Sequence, residues 1–121
     1  MAKHEIVHVE IPAKHPKAGS KFYADLFGWK LEEFPEMDYI TFEAGDGPGG
    51  GFPKVDDQTN PGDVIVYVST DDIEATLTKI ESLGGKSVVP KTEIPQTGWF
   101  AVFTDPTGNT MALYTSMNPG G

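Results

Sequence analysis

The stretch HVEIPAKHPKAGSKFYADLFGW, residues 8–29, passes from one backbone periodicity to another across a single turn. Val7, Val9 and Ile11 alternate with His8 and Glu10, the period-two pattern of a strand with one apolar and one polar face. Pro12 and Pro16 bracket a turn, and proline is tolerated in the first turn of a helix because its missing N–H has no intrahelical partner there. The spacing then predicts a helix from about Pro16, with Ala18, Phe22 and Leu26 in one stripe, Tyr23 and Phe27 alongside, and Gly28 as its left-handed terminator.

Outward from this stretch, residues 29–34 and 39–43 read as short strands around the turn Pro35-Glu36-Met37-Asp38. Residues 49–52 read as a glycine-rich strand before a loop over 53–62. Val64, Val66 and Val68 share one face of a further strand, with Ile65 and Tyr67 on the other. Asp71-Asp72-Ile73-Glu74 carries an Asx cap with a Glu three positions later. Ile73, Leu77, Ile80 and Leu83 then form a helical stripe ended by Gly84-Gly85. Residues 87–90, 99–104 and 110–115 supply three strands, the last two joined by Asp105-Pro106-Thr107-Gly108.

The order is strand, helix, three strands, twice over. A shift of 57 residues places Ala18 on Ala75, Leu26 on Leu83, Gly28 on Gly85 and Ile11 on Val68. The expected fold is α+β, one domain over residues 1–121 built from two βαβββ modules, about 5–55 and 62–116.

Eighteen acidic against nine basic residues give a net charge of -9, which repels phosphate backbones and anionic membranes. Nucleic acid and membrane partners are therefore not expected. The chain has no cysteine, so disulfides and thiolate metal sites are ruled out. Residues 1–8 lack the apolar run of a signal peptide, and no stretch reaches the roughly 20 apolar residues of a membrane span, so a cytoplasmic location is expected.

The run over residues 8–29, with VSTDDIEATLTKIESLGGK and FTDPTGN in the second half, resembles the vicinal oxygen chelate superfamily of glyoxalases, bleomycin resistance proteins and extradiol dioxygenases. The resemblance implies two βαβββ modules whose sheets curl into a cup, completed by homodimerisation, with a ligand pocket inside. In metal-dependent members the cup holds a divalent cation on side chains from the first and last strands of each module. The first of those positions falls on His8. The 57-residue offset carries it to Ile65, and the position four residues after Gly108 is Ala112. The remaining one lies within residues 49–52, where no side chain has a donor atom. One imidazole falls well short of the roughly three protein ligands of a catalytic site, so no cofactor is expected and a divalent metal is disfavoured. Glu10, two residues from His8 on the same strand face, is the one substitute in reach.

Strand parity puts His8 and Glu10 with Ile65, Tyr67, Thr110, Ala112 and Tyr114, a mixed apolar and polar lining of the kind that holds small molecules. Trp99 and Phe103, of one parity on the neighbouring strand, are added as ligand contacts, with core packing as the competing reading. The leading expectation is a binding protein that holds a small organic molecule without the usual metal site. The alternatives are a metal-dependent lyase, isomerase or dioxygenase using His8 and Glu10, and a regulatory domain whose cup is filled by side chains. His4 and His15 are assigned no role, and Glu32-Glu33 and Asp56-Asp57 are read as solvated faces.

Overall fold

A computed structural model describes residues 4–57 and 59–117. They form eight strands and two α-helices, the α+β arrangement of two βαβββ modules. The chain divides into two compact units, residues 8–65 and residues 4–7 with 66–117, so the first strand, β1 (Ile6–Glu10), contributes to both.

In the first unit α1 (Pro16–Phe27), β2 (Lys30–Phe34), β3 (Tyr39–Glu43) and β4 (Gly49–Gly51) follow β1. The strand order is β2-β3-β4-β1, with β4 parallel to β1 and antiparallel to β3. Gly28 terminates α1 with φ of 75°, and its N–H donates to the Ala24 carbonyl. The core is aromatic: Ile40, Phe42 and Phe52 are buried, with Ile11, Ala13, Tyr23 and Trp29 packed on them. The Trp29 and Phe42 rings stack at 4.4 Å.

The expected stripe on α1 requires correction, because Phe22, Leu26 and Phe27 are all more than half exposed and Ala18 is exposed too. The inward face carries Gly19, Ser20 and Tyr23 instead. A Cβ at Gly19 would lie 3.2 Å from the Ala13 Cβ, and Ser20 is 1% exposed. The chain passes too close under the first turns for large side chains, so small residues and one aromatic ring make the contact.

The second unit adds β5 (Ile65–Ser69), α2 (Ile73–Ser82), β6 (Lys86–Ile94), β7 (Gly98–Thr104) and β8 (Thr110–Ser116), in the order β5-β8-β7-β6. The Ser69 N–H donates to the Glu5 carbonyl at 2.9 Å, which ties the incoming chain to β5. Ile73, Ala101 and Leu113 are the buried core, with Val68, Leu77, Ile80, Trp99 and Phe103 against it. Asp72 caps α2 by accepting from the Ala75 N–H at 3.0 Å. Leu83, expected in the buried stripe, instead closes the helix and is 70% exposed, and Gly84 takes the left-handed conformation. β6 runs well past the expected end at residue 90. It is the last strand of its sheet order and carries register shifts between Ser87 and Val89 and between Val89 and Thr92, so Pro90 is accommodated where ladder bonds are already interrupted.

Candidate functional site

Ile11 packs on the core beneath α1, which by strand alternation turns His8 and Glu10 to the helix-free face of the first unit. Ile40 and Phe42 of β3 also point into the core, which leaves Tyr39 and Thr41 on that same helix-free face. β4 lies between β1 and β3, with Gly51 opposite both Glu10 and Thr41. With no side chain at residue 51, the Tyr39 ring crosses β4 and reaches β1.

The outcome is a hydrogen-bonded set drawn from residues about thirty positions apart. The Tyr39 hydroxyl donates to Glu10 Oε2 at 2.9 Å and lies 3.1 Å from His8 Nε2. His8 Nε2 and Glu10 Oε2 are themselves 3.7 Å apart. A phenol has one proton, and here it goes to the carboxylate, so toward His8 the oxygen accepts and Nε2 carries the hydrogen. The polarity of the chain is His8 to Tyr39 to Glu10. The His8 and Glu10 side chains are 31% and 20% exposed, within reach of a ligand.

In the second unit Val68 and Leu113 face the core beneath α2, so Tyr67, Ala112 and Tyr114 take the helix-free face. Tyr67 stands opposite Ala112, and Ser69 opposite Tyr114. Trp99 and Phe103 pack on the Ile73 and Leu113 core, and Lys91 Nζ sits 5.1 Å over the Trp99 ring. Their expected place in the ligand lining is therefore corrected, since β7 turns that parity toward the helix. Phe100 and Val102, opposite Tyr114 and Ala112, belong to the helix-free face and were not foreseen. The alternation around Ala101, the small residue under α2, was the available signal.

The parallel pairings also identify the module-one counterpart of Ala112. Ala112 stands opposite Tyr67, two residues after Ile65, and Gly51 stands opposite Glu10, two residues after His8. Ile65, Ala112 and Gly51 offer no side-chain donor, so the four positions named by the resemblance supply one imidazole. Among the described residues, no group of three or more His, Cys, Asp or Glu comes together. These residues do not fit a cation held in the manner of the metal-dependent superfamily members.

Two cavities lie at the ends of α1. One of about 470 Å³ is lined by His15, Lys17, Glu33 and Tyr39 among others, and one of about 700 Å³ by Phe27, Trp29 and Glu43 among others. Neither has His8 or Glu10 in its wall. His15 occupies the N-cap position of α1 without a side-chain cap bond, and His4 Nδ1 lies 3.2 Å from the Ser69 carbonyl oxygen.

The sequence pattern of the Glyoxalase/Bleomycin resistance protein/Dioxygenase superfamily matches residues 5–113. The chain belongs to this superfamily. A glyoxylase-like domain-containing protein of Didymella fabae is 33% identical over 92% of this chain and 93% of its own length. The putative glyoxylase CFP32 of Mycobacterium bovis is 29% identical over 91% of this chain, which spans only 42% of that protein. Among solved structures, methylmalonyl-CoA epimerase from Mycobacterium tuberculosis superposes with a TM-score of 0.72 at 12% identity, covering 98% of this chain and 94% of that one. A Mn(II)-bound glyoxalase from Novosphingobium aromaticivorans superposes at 0.70 with 18% identity, covering 94% of this chain and 39% of that one. These structural likenesses establish the shared fold. Among the described residues, no helix is long and apolar enough to cross a membrane.

Proposed function

We propose that this superfamily member binds a small organic molecule on the face that carries His8, Glu10 and Tyr39, without recruiting a divalent cation. The observation that carries the reading is the hydrogen-bonded His8–Tyr39–Glu10 set, partly exposed on the helix-free face of its unit. A few directional polar groups fix a ligand's orientation while apolar walls supply affinity. Ile65 is proposed as a further contact on the strength of strand parity, and Tyr67 and Tyr114 as contacts on the helix-free face of their own unit, whereas Ala112, also expected there, is fully buried. Under this reading the protein acts as a homodimer, as the resemblance implies, and no bond-making step is assigned to it.

The test is thermal-shift screening of wild type and His8→Ala against a panel of metabolites and antibiotics in chelator-treated buffer. A ligand at 100 times its Kd stabilises the folded state by about 2.7 kcal/mol, enough for a rise of several degrees. At least one compound should raise the wild-type midpoint and leave His8→Ala unmoved. A panel that moves neither protein, or both equally, refutes the proposal.

A further inference from the structure

We propose that the Tyr39 hydroxyl, admitted by Gly51, takes the place of a cation between His8 and Glu10 and keeps divalent metals out of the site. The inference rests on the metal-free reading above and adds a second cause to the missing donors at Ile65, Ala112 and Gly51. Gly51 occupies in the first module the position that Ala112 occupies in the second, each opposite the strand residue two places after His8 or Ile65. A Cβ built on Gly51 would run into the Tyr39 hydroxyl and ring. A side chain at 51 and the observed placement of Tyr39 are therefore mutually exclusive, and this chain has the tyrosine.

The consequence for coordination follows from the direction of the bonds. A metal binds an imidazole nitrogen through its lone pair, but with the phenol hydrogen directed at Glu10, the contact of Tyr39 Oη with His8 Nε2 at 3.1 Å requires the hydrogen to sit on Nε2. Glu10 Oε2, the oxygen facing His8, accepts the hydrogen bond from the Tyr39 hydroxyl at 2.9 Å. One hydroxyl thus engages both donor atoms nearest the would-be cation. For a metal to enter, both hydrogen bonds must break and His8 must move its proton to the other ring nitrogen or lose it. The neutral phenol holds the same two side chains 3.7 Å apart without a cation.

The experiment titrates Co²⁺, whose visible absorption reports its donors, into wild type, Tyr39→Phe, Gly51→Ala and the double variant Tyr39→Phe/His8→Ala. Tyr39→Phe removes the hydroxyl. Gly51→Ala leaves the phenol intact but displaces it, and the clash falls at the far end of a side chain that can swing away. Either variant releases hydrogen bonds that a metal would otherwise have to break, a competing interaction about the size of one net hydrogen bond, so each single variant should bind Co²⁺ about tenfold tighter than wild type. The gain should vanish in the double variant. Equal affinity in wild type and both single variants would overturn the inference and leave the metal-free reading standing, as would a gain that survives loss of His8. Stoichiometric Co²⁺ on wild type that Tyr39→Phe loses would make the phenol a ligand and overturn both.

Discussion

A methyl group at Gly50 would run into the Val9 carbonyl oxygen and stand 2.7 Å from Cζ of Phe42, whereas the nearest atoms to one at Gly51 belong to the far end of Tyr39. Backbone cannot yield as a rotatable ring can, so Gly50→Ala should cost about 3 kcal/mol and Gly51→Ala distinctly less, as chemical denaturation of the two variants will show. Phe52 is fully buried in the aromatic core, and Phe52→Ala should cost about 3–5 kcal/mol by the same measurement. At this scale the sequence made His8 and Glu10 legible, because alternation alone puts them on one face of one strand. Tyr39 was not legible as their partner. Nothing in local periodicity links residue 39 to residues 8 and 10, and the link depends on β4 lying between β1 and β3 with a bare backbone where the ring crosses.

Elements were read best where a backbone signal marks their ends. Gly28 and the residues of β3 fell where the pattern placed them, because a left-handed glycine and a flanking turn are strictly local causes. Faces were read less well. On α1 the large apolar residues Phe22 and Leu26 imply a buried stripe, yet steric room beneath the helix selects Gly19 and Ser20, and room is set by tertiary approach. Caps and turns carry two expectations here. Asp72→Ala removes the acceptor for the Ala75 N–H and should lower stability by about 1 kcal/mol in thermal unfolding.

In the β7–β8 turn, hydrogen bonds from the Asn109 backbone and side chain, with those from Thr107, hold the Asp105 carboxyl at about 2 against an ordinary 3.8. A depressed pKa means the stabilisation is complete above the ordinary value and fades as pH falls through about 2. An NMR titration of the Asp105 carboxyl, with the Thr107 and Asn109 amide signals followed in parallel, should show all three changing together in that acid window.

For the molecule as a whole, a net charge of -9 on 121 residues makes self-repulsion a general destabilising field. Raising the ionic strength from about 0.01 M to 0.15 M shortens the screening length from about 30 Å to 8 Å, so the melting temperature should rise over that range in calorimetry. The repetition of the βαβββ module was legible at this scale because helix stripe and terminator recur at a nearly constant offset. The offset is not strict: Gly28 matches Gly85 by counting, but the left-handed counterpart in the structure is Gly84.

The two compact units do not coincide with the two halves of the polypeptide. Residues 4–7 fold with the C-terminal half, where the Glu5 carbonyl receives the Ser69 N–H. A gene cut between the repeats would therefore yield a trailing fragment with an unsatisfied strand edge and a leading fragment with a redundant arm. An autonomous trailing fragment has to be spliced with the opening residues grafted on, so that the Ser69 N–H keeps its acceptor.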